Sequence, residues 1–284
     1  MTSESLHDYL STVHLIREEW DVPDHKELWF RAESEEHRQT RLLPGLYRPR
    51  KGEKRKSVEF LLELENELYE EFDRCAPQLA SDLKLEDHDW DPYFLMQHHG
   101  GPTRILDWSD GALIALHFAV REKSEPIKSG SVIYVLDPWW LNDCLGGDRD
   151  RKDAIKRWGK YIKNTHPCDM DEDEWDRLYL PSNKDDVKEP LLRTPVIPLL
   201  WDSPHVSRRV AAQRSRYMIF GTEPVWLSEL AEKKDSHMIE ITVPANAITG
   251  IKQELRDAGV TESVIFPDLD GLGRELRQIW ESRR

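Results

Sequence analysis

Phe94-Leu95-Met96-Gln97-His98-His99-Gly100-Gly101-Pro102-Thr103-Arg104-Ile105-Leu106-Asp107-Trp108-Ser109 is the stretch of the chain densest in chemistry-bearing side chains. Two glycines ahead of a proline dictate a sharp turn, which presents Gln97, His98 and His99 beside the strand that follows. Asp107 and Ser109 then fall where an apolar helix over 111–122 begins. Either would cap that helix, and the same N-terminus would receive an anion. Capping alone accounts for Asp107 and Ser109. It does not account for two adjacent imidazoles and a glutamine, which are more polar than turning requires. No metal is expected here, because adjacent histidines seldom converge on one ion and no carboxylate has ligand spacing nearby.

Outward from this stretch the pattern is of mixed secondary structure. Leu6, Leu10, Val13 and Ile16 recur at helical spacing over 3–20, with Ser3 placed to cap. A second helix spans 57–75, with Phe60, Leu61, Leu64, Leu68 and Phe72 on one face and acidic residues largely on the other. Strand-like runs occur at 27–32, 131–136, 195–201, 216–220, 237–243 and 263–266, and shorter helices fit 148–163, 226–233, 245–258 and 271–282. Residues 137–192 are irregular, carrying Trp139, Trp140, Gly146, Gly147 and an acidic patch from Asp169 to Asp176; they read as an insertion or long excursion. Strands toward both ends with helices between them predict an α+β fold, a single mixed domain over 27–284 behind an N-terminal helix within 1–26.

Composition narrows the function classes. The 284 residues include 11 Trp, 8 Tyr and 7 Phe, too many aromatics for a disordered chain despite a mean hydropathy of −0.69. Lys and Arg number 40 against 54 Asp and Glu, a net charge of −14, so the average surface repels phosphate backbones and a general nucleic-acid binder is disfavoured. The longest apolar stretch, Ala112 to Val120, is interrupted by His117 and falls far short of the roughly 20 residues a membrane span needs. The first ten residues lack the charged and apolar regions of a secretory signal, and Cys75, Cys144 and Cys168 have no CxxC spacing. The expectation is a cytoplasmic protein of a reducing compartment, with no membrane partner and no disulfide framework.

Three further segments carry candidate chemistry. In Leu28-Trp29-Phe30-Arg31-Ala32-Glu33, Arg31 ends a bulky strand and would clamp a carboxylate or phosphate bidentately, or else pair with a glutamate such as Glu33 or Glu65. Arg41, Arg48, Arg50, Lys51, Lys54, Arg55 and Lys56 follow against the single acid Glu53, a local charge reversal that reads as a solvated loop or as a collector of phosphate. Ser207 to Gly221 reads as a short cationic helix feeding a strand, with Gln213 at the junction and arginines free to bind phosphate or neutralise acids. In Thr261 to Leu272 a strand ends at Pro267, and Asp268 or Asp270 caps the last helix; paired aspartates also suit magnesium. No Walker, GxSxG, HExxH or GxGxxG signature is present, which removes most support for ATPases, α/β-hydrolases, zincins and kinases.

Taken in order, LWFRA with LLPGLYR, QHHGGPTRILDWSDGALIALHFAV, AAQRSRYMIFG and ESVIFPDLDGLGREL resemble the motifs of the FRG domain family over about residues 28–276. Ala32 stands where that family's name-giving motif has Gly, and Ser215 and Ser109 also depart from the pattern. The resemblance implies a bacterial or phage protein but no settled activity. By analogy with ADP-ribosyltransferases, it implies an ADP-ribosyltransferase-like central sheet with flanking helices and NAD as co-substrate. Arg31 would grip phosphate, Thr103 or Ser109 would orient ribose, and Gln97 and His98 would hold the nicotinamide ribose or amide. Gln213 would stand where the transferase acid is expected, with Asp107 supplying the carboxylate, and Arg104 and Trp108 would complete the nucleotide site. Trp29, Tyr47 and Trp108 would stack a base or pack the core. The expected setting is a toxin–antitoxin or anti-phage defence system, with a protein partner and nucleic acid as an acceptor. The alternatives are a non-catalytic nucleotide- or partner-binding module, and a metal-dependent nuclease using Asp107, Asp268 and Asp270.

Overall fold

Ser131-Val132-Ile133-Tyr134-Val135-Leu136 is β-branched and aromatic with no polar face, and such a run belongs in a strand covered on both sides. The structure, a computed structural model, describes residues 1–35, 40–79, 90–121, 127–145, 178–181, 191, 194–201 and 208–283. The run forms β3 (Ser131–Leu136), buried along its whole length. With β1 (Trp29–Ser34), β2 (Ile105–Ser109), β4 (Leu199–Trp201), β5 (Ser215–Ile219) and β6 (Met238–Val243) it makes one sheet. Among the described residues that sheet has six strands in the order β4-β5-β2-β1-β3-β6, every neighbouring pair antiparallel.

Helices cover both faces. On one side Phe30, Ile133, Val135, Ile241 and Val243 pack against Tyr9 and Ile16 of α1 (Leu6–Glu19), Leu116 and Val120 of α4 (Ala112–Arg121), and Ile248 and Ile251 of α8 (Ile248–Asp257). On the other, Trp29, Val132, Tyr134, Leu136 and Trp108 meet Tyr47, Leu61 of α2 (Val58–Leu79), Leu141 of α5 (Pro138–Cys144) and Leu227 of α7 (Trp226–Ala231). A third apolar group joins Tyr69 of α2 and Trp90, Tyr93 and Phe94 at α3 (Asp91–His98) to Ile105, Tyr217 and Ile219. Among the described residues the remaining α-helices are α6 (Arg208–Ala212), α9 (Glu262–Ile265) and α10 (Leu269–Ser282). Residues alternating along β3 thus serve two cores, as the pleat requires. No helix among the described residues is long and apolar enough to cross a membrane.

Several elements differ from the sequence reading. Residues 263–266 are not a strand: Ser263 to Ile265 lie in the one-turn helix α9, which packs Ile265 and Phe266 against Ile114 of α4. The α1 cap is Ser5, whose Oγ accepts from Asp8 N, while Ser3 is buried and donates its amide to Thr242 O on β6. In α1 and α2 the buried stripe is rotated from the purely apolar one. Tyr9 replaces the exposed Leu10, and Glu65 turns inward while Phe60 is exposed. The strand expected over 195–201 is limited to β4. Most of the excursion, including the 148–163 helix, Gly146, Gly147, Cys168 and the Asp169–Asp176 patch, lies outside the described residues.

The turn into α10 shows how tightly the last motif is built. Asp268 caps the helix, its Oδ1 accepting from Gly271 N at 2.6 Å. A Cβ on Gly271 would drive into the main-chain oxygen of Phe266 and come within 2.9 Å of its carbonyl carbon, with backbone rather than a yielding side chain in the way. Gly271→Ala is therefore expected to destabilise the protein by about 1–3 kcal/mol, read from the midpoint of a denaturant titration; an unchanged midpoint would refute this packing.

Candidate functional site

β3 pairs with β1 along six residues and β2 with β5 along five, yet among the described residues β1 and β2 meet at the single pair Phe30 and Ser109. A continued ladder would set Ala32 opposite Asp107. Instead the strands part, and both border a cleft of about 840 Å³. The cleft is completed by Ser215 and Tyr217 of β5, one side of α4, the end of α3 and α6. Arg31 spans the parting, its Nη1 donating to the main-chain oxygen of Asp107 at 2.6 Å.

Arg31 is held from behind. Its Nε donates to Glu33 Oε1 at 2.9 Å, and the other oxygen of that carboxylate accepts from Leu42 N at 3.2 Å. Arg48 joins the same carboxylate at 3.3 Å while its Nε donates to Leu43 O. Burial, and then the neighbouring Arg31, lower the Arg48 pKa, with Glu33 and Asp107 opposing. The cationic run of the sequence thus divides. Arg48 enters the cleft and Arg41 pairs with Glu232 and Glu240, whereas Arg50 to Lys56 are exposed.

On the opposite wall a short chain of hydrogen bonds aims a carboxylate. Thr103 Oγ1 accepts from Ile105 N at 3.1 Å and donates to Gln97 Oε1. That fixes the amide orientation, so Gln97 Nε2 faces Asp107 Oδ2 and donates to it at 2.7 Å. Asp107 is open to the cleft but enclosed by protein on its other sides. This enclosure pushes its carboxyl above the ordinary range, against the pull of Arg31, Gln97 and Arg209. His98, next on α3, is half-buried. Desolvation first, then Arg209 and His99, bring its pKa down to about 4 despite Asp268, so at neutral pH it is an uncharged imidazole. Ser109 Oγ donates to Gln213 O at 2.8 Å and accepts from Gly111 N at 3.0 Å, and Gln213 Nε2 reaches Ile265 O at 3.4 Å.

The arginines of the third segment serve different ends. Arg214, whose φ of 48° turns the chain from α6 into β5, and Arg216 both pair with Asp110. Arg209 lines the cleft instead. With Arg121 and Arg274 it surrounds the Phe266 ring, the three guanidinium carbons 4.1–4.8 Å from its centroid. Glu262 accepts from Arg121 and from Arg274, and its Oε2 lies 3.3 Å from His117 Nε2.

Arg31, Gln97, His98, Asp107, Ser109 and Gln213 therefore present to one cleft, although they come from three segments of sequence. Three candidates do not present their side chains to it. Arg104, in place of the expected ligand contact, is 1% exposed, with its side chain spent on Glu65, Phe220 O and Tyr179 O. Thr103 is wholly buried and acts through Gln97. Trp108 borders the cleft along β2, but its ring packs in the core with Trp29 and Tyr47, because alternate β2 residues face opposite ways. Nor does Asp107 cap α4: it stands in β2, and the Ser109 hydroxyl meets the first amide before the helix. The charged cleft residues missed in the sequence are Arg121 and Lys128, whose local context carries no motif, whereas Glu33 is the partner the sequence offered for Arg31. Ala32 is extended, opposite Ile133, so its substitution for glycine brings no backbone strain.

Residues 26–128 match the family described as FRG domain. The chain carries an FRG domain. No curated protein and no solved structure matches it. The FRG domain match takes in β1, α2, α3, β2 and α4, hence Arg31, Arg48, Gln97, His98, Asp107, Ser109, Arg121 and Lys128 of the cleft. Arg209, Gln213, Ser215 and Tyr217 complete the cleft from beyond the matched residues.

Proposed function

We propose that the cleft binds NAD or a closely similar phosphate-bearing nucleotide, and that the protein transfers ADP-ribose from it as a bacterial effector of the toxin or anti-phage kind. The observation that carries this reading is electrostatic. Among the described residues lining the cleft, Arg31, Arg48, Arg121, Arg209 and Lys128 face only Glu33 and Asp107, in a chain whose net charge is −14. A concave site of that polarity concentrates anions. The volume of about 840 Å³ accommodates a dinucleotide.

The groups beside the cations suit the chemistry. Transfer breaks the bond between ribose C1′ and the nicotinamide nitrogen, the electron pair leaving with nicotinamide, and forms a bond from C1′ to an acceptor oxygen or nitrogen that gives up its proton. Asp107, held by Gln97, would offset the positive charge developing on the ribose. Neutral His98 and Gln97 would hold ribose hydroxyls or the carboxamide. The second reading, a module that binds a nucleotide without turning it over, is favoured by Gln213, which lines the same wall and cannot ionise.

The test is nicotinamide release from NAD with purified protein and cell lysate, beside Arg31→Ala. Release is expected in the wild type and at least tenfold less in the variant, about 1.4 kcal/mol or more of transition-state stabilisation. Because Arg31 also ties β1 to β2, Arg31→Lys and a thermal melt separate lost chemistry from lost structure. No release and no NAD binding would defeat the transferase reading.

A further inference from the structure

Arg209 is an arginine without a direct ion-pair partner among the described residues, although Asp268 and Asp107 act on it at longer range. Its Nε is shut off from solvent without a hydrogen-bond partner, and among the described residues its guanidinium makes no hydrogen bond or ion pair. It shares the Phe266 ring with Arg121 and Arg274. Those two share Glu262 as an ion-pair partner, and no such contact among the described residues reaches Arg209. The acid with the largest effect on it, Asp268, directs Oδ1 to Gly271 N as the α10 cap. Across the cleft, by contrast, Arg31 already has Glu33 and the Asp107 carbonyl. A half-buried cation beside two like charges costs stability unless a counter-charge arrives, and the ordinary reason for keeping one is a ligand that brings it.

We infer that Arg209, backed by Arg121 and the Phe266 ring, is the phosphate subsite of the cleft and takes the pyrophosphate of a nucleoside diphosphate-type ligand, Arg31 serving chiefly to position β1 against β2. The inference rests on the reading of the cleft as a nucleotide site and moves its anion anchor from β1 to α6. A pyrophosphate seated there lies next to His98, whose imidazole already feels the Arg209 charge and would donate a neutral hydrogen bond to the ligand. Arg208, on the same short helix but exposed, is outside the cleft lining and serves as a charge-matched control.

The experiment is calorimetric titration of inorganic pyrophosphate, ADP-ribose and adenosine into the full chain, wild type against Arg209→Ala, Arg209→Lys and Arg208→Ala, with a thermal melt of each. Arg209→Ala is expected to weaken pyrophosphate and ADP-ribose by tenfold or more. Arg208→Ala should leave both within about twofold, and adenosine should be indifferent to either change. Loss of this cation should leave the melting temperature equal or higher, whereas a structural role against Phe266 would lower it. Wild-type affinity for pyrophosphate in Arg209→Ala, or no pyrophosphate and ADP-ribose binding in the wild type, would overturn the subsite. Binding through Arg209 with no nicotinamide release would leave the subsite standing and remove the transferase reading. Release with an unchanged KM for NAD in Arg209→Ala would do the reverse.

Discussion

Glu65→Gln is expected to cost about 3–5 kcal/mol, because it leaves the Arg104 charge buried without its counter-charge. Arg104 sits at the entry to β2, and its side chain joins four parts of the fold. Nε donates to Glu65 Oε2 at 2.5 Å, Nη1 to Phe220 O at 3.0 Å and Nη2 to Tyr179 O at 2.5 Å, while its amide donates to Glu65 Oε1 at 2.8 Å. Tyr93 closes the group by donating to the same oxygen. Both charged side chains are at most 1% exposed, so water cannot replace a lost partner. For a chain of this size the loss corresponds to a fall of about 6–20 °C in melting temperature. Arg104→Met should cost a similar amount, and the Glu65→Leu/Arg104→Met pair should cost less than the sum of its singles, since no lone charge remains. A Glu65→Gln melt within about 2 °C of wild type would show that the pair does not hold β2 in place.

That pair also shows where the sequence stops being readable. The β3 run has neither a polar face nor a breaker, so its strand could be read to the residue, and the helix and strand patterns around it pointed to the mixed fold. Arg104 could not be placed, because Glu65 lies 39 positions upstream on a helix rich in glutamates. The one available signal was positional: Glu65 follows Leu61 and precedes Tyr69 by four residues each, on the stripe that turns inward. Val264, Ile265 and Phe266 have the composition of a strand and form a helical turn and its exit, since a four-residue run is too short for periodicity to decide. The motif-borne residues of the cleft were legible from the density of polar side chains in their segments and not from their exact places: Arg31, expected at a strand end, stands within β1, Asp107 lies at the centre of β2, and Gln97 and His98 lie on α3. The parting of β1 from β2 was not legible, because it is a failure of pairing between strands more than 70 residues apart, and local spacing does not record it.

Asp107→Asn is expected to reduce nicotinamide release by about 10²–10³-fold without weakening the fold. Asparagine keeps the shape and still offers an oxygen to Gln97 Nε2, so the Thr103–Gln97 arrangement survives while the negative charge is lost. The sign of the stability change follows from the raised pKa. A carboxyl whose folded pKa lies above its unfolded value binds protons more readily in the folded state. Its ionisation therefore lowers stability as pH rises from the unfolded pKa through the folded one, and at neutral pH that cost is fully present. The substituted asparagine cannot ionise, so the variant should melt at or above the wild-type temperature at pH 7, and the difference should vanish in acid. Activity should run the opposite way: wild-type release rises with pH as Asp107 ionises, and that limb of the profile disappears in the variant. Together these outcomes identify a carboxylate kept at an energetic disadvantage for its charge. A variant that melts lower at neutral pH, or releases nicotinamide as fast as the wild type, would show Asp107 to be a structural acid, and the charge the transfer requires would have to come from elsewhere in the cleft.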